Sequence, residues 1–173
     1  KAEWSGFDLD KAEWRYLVTK TQTEHLVPLS TQAVAILRDL HPLTGRGVHV
    51  FAGRDPKKPM SEAAVNAALR RMGYDTKTEI CGHGFRSMAC SALIESGLWS
   101  ETAIERQMSH KERNNVRAAY IHKAEFIEER RLIMNWWSRY LEANRQEHVT
   151  PHEFANQTGA NVTRLKAKRG ATE

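Results

Sequence analysis

Residues 13–30, EWRYLVTKTQTEHLVPLS, decide the fold. Apolar and aromatic side chains dominate the first six positions and return after the polar run TKTQT, in EHLVPLS. Two short strand-forming runs separated by a polar connection read as an antiparallel hairpin with Lys20 at its tip. Upstream, FDLD at 7–10 reads as a further strand with a turn at Asp8–Lys11, so three antiparallel strands are expected in chain order. Downstream, Ser30 has the side chain of a helix N-cap, and TQAVAILRDL at 31–40 brings Val34, Leu37 and Leu40 near one face.

The pattern then changes from strands to helices. LTGRG breaks the first helix, VHVFA at 48–52 is a short extended stretch, and GRDPKKP is a loop. Ser61 opens a helix, EAAVNAALRRM, that Gly73 ends. Further helices are expected at 84–96 with Gly97 after them, from Ser100 to about 109, at 116–121, and over 125–145. On the last of these, Phe126, Ile133, Trp137, Tyr140 and Leu141 repeat at helical spacing and read as core. TPHE at 150–153 is a capping box with Pro at the first helical position, so a short helix should follow. The basic end, VTRLKAKRGATE, reads as frayed. The fold class is α+β and mainly α-helical: a small three-stranded antiparallel sheet packed against a helical domain. Residues 1–145 form its main domain and 146–173 a helical and basic tail.

Bulk properties narrow the function classes. The chain has 173 residues, 40% hydrophobic and 27% charged, enough for one domain with a sizeable core. No apolar run approaches the roughly 18 residues that span a bilayer, and KAEWSGFDLD has no signal-peptide pattern. A net charge of +5 and a pI of about 9.4 permit a polyanionic partner without establishing one. Two cysteines make no disulfide framework, which points to a reducing cytoplasm.

CGHGFRSMAC at 81–90 concentrates the candidate chemistry. Cys81, His83 and Cys90 do not have zinc-site spacing, and Cys90 sits among apolar residues as a buried, inert thiol would, so no metal is expected. His83 and Arg86, three apart at a helix start, suit a phosphate through an imidazole and a forked guanidinium. Alone, H-x-x-R is a weak signal. HGFR also resembles the R-H-G-x-R signature of histidine phosphatases, but Gly82 stands where their leading Arg would be. Read singly, Lys20 is a solvated turn lysine, His110 a helix cap and Tyr120 a core aromatic.

Four segments in order change that reading: KTQTEHLVPLS, GHGFR, MSH at 108–110 and VRAAYIH at 116–122. Together they resemble the hairpin lysine, the H-x-x-R box, the second histidine box and the tyrosine box of the tyrosine recombinases. EWSGFDLD, MSEAAVNAALRRMGY and NWWSRYLE look like phage-type integrases of satellite phages and genomic islands. The resemblance covers about residues 1–145. It implies site-specific cleavage and rejoining of double-stranded DNA through Tyr120, integrating or excising a mobile element. It assigns catalytic roles to Lys20, His83, Arg86, His110 and Tyr120, with no cofactor. It further implies a homo-tetramer on DNA, with a monomer possible without it, acting in the bacterial cytoplasm at the nucleoid.

The family has another catalytic arginine just before a segment like EWSGFDLD. The chain opens without Met and in mid-element, so the expectation is a fragment that begins after that residue. Such a fragment would fold but cleave weakly, since one lost transition-state donor costs on the order of 10²–10³ in rate. The rivals are a DNA-binding module of the same fold and a phosphomonoesterase built on His83.

Between Gly45 and Lys77 seven Lys/Arg face three acids. Arg54, Lys57, Lys58, Arg70 and Arg71 are therefore the candidate DNA-backbone contacts, with an ordinary solvated face as the alternative. The tail from Thr150 is a candidate for docking on a neighbouring subunit.

Overall fold

A computed structural model describes residues 1–18, 22–109 and 126–159. The expected helix at 116–121 and the basic end from 162 lie outside the described residues. The chain divides into two compact units, Lys1–Met88 and Ala89–Glu173. The fold is α+β and mainly helical, with one small antiparallel sheet.

In the first unit, β1 (Phe7–Asp8), β2 (Glu13–Val18) and β3 (Thr23–Pro28) lie in the order β1-β2-β3. The β1–β2 turn is held by Asp8, whose carboxylate accepts the Lys11 N–H at 2.9 Å and meets the Lys11 ammonium at 3.0 Å. Pairing of Glu13 with Pro28 through Val18 with Thr23 sets the hairpin register. That register puts Trp14, Tyr16, His25 and Val27 on one face. Phe7 stacks on Trp14, and Trp14 on Tyr16, with ring centroids 5.3 and 4.5 Å apart.

Ser30 caps α1 (Thr31–Thr44) as expected, its hydroxyl accepting the Ala33 N–H at 3.2 Å. Val34 and Leu37 are buried with Leu29 and Val50, and Leu40 packs against them. The extended stretch at 48–52 bridges two segments. Trp4 N–H donates to the Val48 carbonyl and Val50 N–H to the Ala2 carbonyl, both at 3.0 Å; Met60 N–H donates to the Phe51 carbonyl at 2.8 Å. Trp4 also donates its indole N–H to Thr44, which in turn donates to the Val50 carbonyl. The chain start is thereby tied to the end of α1.

Helix α2 (Ala64–Arg71) begins two residues later than the serine signal at 61 implies. Ser61 takes the Ala63 N–H at 3.3 Å, two residues on, and its carbonyl takes the Ala64 N–H at 2.9 Å, so residues 61–63 turn before the helix starts. Gly73, at φ +96°, ends the segment. Helix α3 (Gly84–Glu95) follows, and the division between the units falls within it. Gly97, at φ +65°, follows its end in a left-handed conformation that favours glycine.

In the second unit, Ser100 caps α4 (Glu101–Gln107), accepting from Ala103 at 3.2 Å. Ser100 is itself bound by Glu129 of α5 (Ile127–Asn144) through both its N–H and its hydroxyl. Ile133 and Trp136 are the buried apolar positions of α5; Trp137, Tyr140 and Phe126 pack around them, while Leu141 is exposed. The core stripe therefore runs through 133, 136 and 140, and Leu141 falls outside it. Arg130 is also fully buried and donates through Nε to Gln107 at 2.9 Å.

The capping box forms as expected. Glu153 accepts from the Thr150 N–H (2.9 Å) and hydroxyl (2.7 Å), and Thr150 accepts the Glu153 N–H at 3.3 Å. The chain is helical from 151 through 159, here α6. Phe154 and Ala155 are buried in the second unit's own core, with Phe154 against Trp136 and Tyr140. The described part of the tail is thus packed in cis. Trp136 donates to Thr158 at 3.1 Å, and Thr158 donates to the Phe154 carbonyl, which closes the contact with no buried polar group of that trio unpaired.

Phe154→Ala should lower unfolding stability by about 3–5 kcal/mol, the usual cost of removing a buried aromatic ring, as read by denaturant melts. The Thr150 N–H and hydroxyl hold the Glu153 carboxyl below its ordinary 4.5. A depressed folded value contributes stability above the unfolded value and loses it as pH falls through the folded one. The stability difference between the parent and Glu153→Gln should therefore be flat above about pH 5 and close below pH 4.5.

Candidate active site

The described part of the candidate site is the turn that starts α3. The Gly84 N–H donates to the Cys81 carbonyl at 2.9 Å, and the His83 carbonyl accepts from Arg86 (3.1 Å) and Ser87 (3.4 Å). His83 is therefore the residue that opens the helix, and Arg86 lies one turn into it. Residues three apart on a helix share a face, which is the spacing of His83 and Arg86. Both side chains are exposed.

The first turn of α3 carries no acidic residue. A helix N-terminus bears partial positive charge, so an arginine there is locally unfavourable by about 0.3–1 kcal/mol. His83 adds a second donor side chain at the same helix start, also exposed. Helix starts favour anions, and a forked guanidinium can bind two oxygens of one anion at once.

The turn is braced from α2. The Asn66 side-chain oxygen accepts the Gly82 N–H at 2.8 Å, and a Cβ built on Gly82 would lie 3.4 Å from Val65 Cγ1. Cys81 is half-buried beside this turn. Cys90 is half-buried as well, against the core of the second unit, rather than fully buried as its apolar neighbours suggested. Among the described residues, no three His, Cys, Asp or Glu side chains are grouped so that they could hold a metal ion. Nor is any helix among them long and apolar enough to cross a membrane.

The candidate DNA contacts fall in two places. Arg54, Lys57 and Lys58 are exposed on a tight loop closed by Gly53 N–H to the Lys58 carbonyl (2.8 Å), with Asp55 Oδ1 accepting the Lys57 N–H at 3.0 Å. Asp55 is thus engaged with the loop's own backbone. Arg70 and Arg71 are exposed in the last turn of α2, where cations also favour the helix dipole. Arg70 donates to Thr76 at 3.0 Å. Thr76 belongs to a turn organised by Asp75, whose carboxylate takes the Lys77 N–H and the Thr78 hydroxyl and is held below the ordinary carboxylate range by them. Structural work therefore accounts for part of the α2 arginines, whereas nothing of that kind among the described residues accounts for Arg54, Lys57 and Lys58.

Of the five candidate catalytic residues, His83 and Arg86 lie within one turn of each other in sequence at the start of α3. Lys20, His110 and Tyr120 lie outside the described residues. The last hairpin pair, Val18 with Thr23, leaves residues 19–22 to connect the strands, and Lys20 is one of them. Sequence reasoning missed Asn66. The available signal was an asparagine, a poor helix former, inside the otherwise alanine-rich AAVNAAL.

The chain is 53% identical over 169 residues to the putative protein IntB of Escherichia coli K12, covering 89% of this chain and 43% of the relative. It is 53% identical over 164 residues to the integrase of Enterobacteria phage P4, covering 86% of this chain and 37% of the relative. Prophage integrase IntA of E. coli K12 is 37% identical over 146 residues, covering 83% of this chain and 34% of its own. The chain spans about two-fifths of the length of the first two relatives. No solved structure matches it. Residues 1–126 match the phage integrase family, which covers the hairpin, the His83–Arg86 turn and both boxes beyond it, and the chain belongs to that family.

Proposed function

We propose that this chain is the catalytic part of a site-specific DNA recombinase that cuts and rejoins double-stranded DNA through Tyr120. The observation that carries the proposal is the exposed His83–Arg86 pair at the start of α3, in a chain of the phage integrase family. Residues 1–145 are its catalytic portion, and 146–173 a C-terminal segment.

In this mechanism the Tyr120 oxygen attacks the scissile phosphorus. The P–O bond to the 5′ oxygen breaks, leaving a 3′-phosphotyrosine and a free 5′-hydroxyl. One phosphodiester replaces another, so no external energy source is consumed. Charge builds on the non-bridging oxygens, and fixed donors aimed at that charge supply the largest part of such catalysis. Arg86 provides a forked donor, together with the further arginine that the resemblance implies. His83 takes the tyrosine proton as general base, and His110 adds a hydrogen bond to the phosphate. Lys20 protonates the leaving 5′ oxygen. Tyr120, with an ordinary pKa near 10, is activated by the surrounding cations. No step calls for a metal or a cofactor.

The partner is attachment-site DNA held in a homo-tetramer, and the setting is the bacterial cytoplasm. Arg54, Lys57 and Lys58 grip the backbone, with Arg70 and Arg71 alongside. Such contacts position DNA without reading its sequence.

The direct test uses a nicked DNA substrate from which the released strand diffuses away, and the chain extended N-terminally to carry the further arginine. A covalent protein–DNA adduct is expected, and Tyr120→Phe should abolish it. An adduct that persists in that variant overturns the assignment of Tyr120. DNA binding without any adduct favours the non-catalytic module, and hydrolysis of a small phosphomonoester that His83→Ala abolishes favours the phosphatase reading. For the basic loop, Lys57→Ala/Lys58→Ala should weaken DNA binding. The slope of log affinity against log salt should become shallower by about 0.9 for each phosphate that is no longer neutralised. An unchanged slope would remove both lysines from the interface.

A further inference from the structure

We propose that Asn66 is a positioning residue for the phosphate-binding pair, its side-chain oxygen orienting the turn that presents His83 and Arg86. This role deepens the recombinase reading and rests on it for its activity readout.

A single peptide unit sets the turn. The Cys81 carbonyl and the Gly82 N–H belong to the same rigid plane. Asn66 Oδ1 holds the N–H end at 2.8 Å, and the Gly84 N–H holds the carbonyl end at 2.9 Å. With both ends fixed, the plane cannot rotate. His83 is separated from it only by the Gly82 Cα, and the His83 carbonyl then begins the α3 ladder that carries Arg86.

The contact is long-range, 16 residues in sequence, and partly buried. Local geometry alone does not account for it. Gly82 lies directly on α2, with Val65 Cγ1 and Asn66 Oδ1 at 3.4 and 3.5 Å from where a Cβ would stand. Asparagine is disfavoured in a helix by roughly half a kcal/mol relative to alanine, so its place in AAVNAAL is a local cost. Its acceptor is what alanine would lack. Asn66 is also one turn before Arg70, so the helix that carries two candidate DNA contacts is the one that braces the cleavage turn.

Misplacing a catalytic group by about 1 Å costs on the order of 10²-fold in rate. Asn66→Ala removes the acceptor while favouring the helix, and Asn66→Asp keeps an acceptor at the same reach. With the N-terminally extended chain on saturating nicked DNA, Asn66→Ala should slow adduct formation by about 10- to 100-fold. Its DNA affinity should stay within about twofold, and Asn66→Asp should recover most of the rate. Exchange of the Gly82 amide proton should accelerate in Asn66→Ala and not in Asn66→Asp. Wild-type cleavage by Asn66→Ala overturns the proposal. So does equal loss in Asn66→Asp, or a loss that tracks DNA affinity and melting temperature. If the parent forms no adduct, the recombinase reading itself fails; Gly82 exchange then still decides the brace, and an amide indifferent to Asn66→Ala overturns it.

Discussion

A helix leaves its first N–H groups without partners inside itself, and the way α3 meets that constraint determines where His83 and Arg86 stand. The His83 carbonyl takes the first helical bonds and the Cys81 carbonyl takes the Gly84 N–H, while just outside the helix Asn66 takes the Gly82 N–H. The first turn of α3 carries no acidic residue, although acids there complement the helix dipole. The result is a helix start with two cationic or donor side chains on its surface and its backbone held from behind. Such a helix start favours an anion through the positive end of its dipole.

Around this turn, the first unit is tied together over long stretches of sequence. The hairpin register keeps the aromatic row Phe7–Trp14–Tyr16 on one face of the sheet. The bonds from Ala2 and Trp4 to residues 48–50 tie the chain start to the segment leading into the basic loop. The second unit has its own logic. Its core is built on Trp136, Tyr140 and Phe154, with the Trp136 and Tyr140 rings 5.4 Å apart and nearly parallel. Burial pushes the Tyr140 phenol above its ordinary 10, as suits a ring that packs rather than reacts. The buried Arg130 guanidinium, bonded to Gln107 at the end of α4, joins the two helices that flank residues 110–125.

Much of this was legible in the sequence because the signals were local. Ser30, Ser100 and the Thr150–Glu153 box each cap the helix that follows them, and Gly73 and Gly97 adopt the positive φ expected beyond helix ends. What failed depended on competition or on distant partners. Ser61 looks like Ser30 in sequence, but it turns back on Ala63 two residues on, and α2 starts later. On α5, Trp136 and Trp137 are equally apolar, and it is the distant partners Trp99 and Phe154 that pack on Trp136, the buried one. Leu141 has the right spacing, but among the described residues no segment covers it. Arg130 reads as a surface charge until its acceptor on α4 is known. In the candidate site, the helix start that carries His83 and Arg86 was legible locally, whereas the Asn66–Gly82 contact spans 16 residues and no local pattern announces it.

In the proposed mechanism one particular tyrosine attacks the DNA. The chain has four tyrosines, at 16, 74, 120 and 140. Tyr16 is stacked in the sheet, and Tyr140 is packed in the second core. The most direct measurement is peptide mapping by mass spectrometry of the covalent complex formed on a nicked substrate. A 3′-phosphonucleotide mass is expected on the peptide containing Tyr120 and on no other. A nucleotide attached at Tyr16, Tyr74 or Tyr140, or to any residue other than tyrosine, would contradict the mechanism.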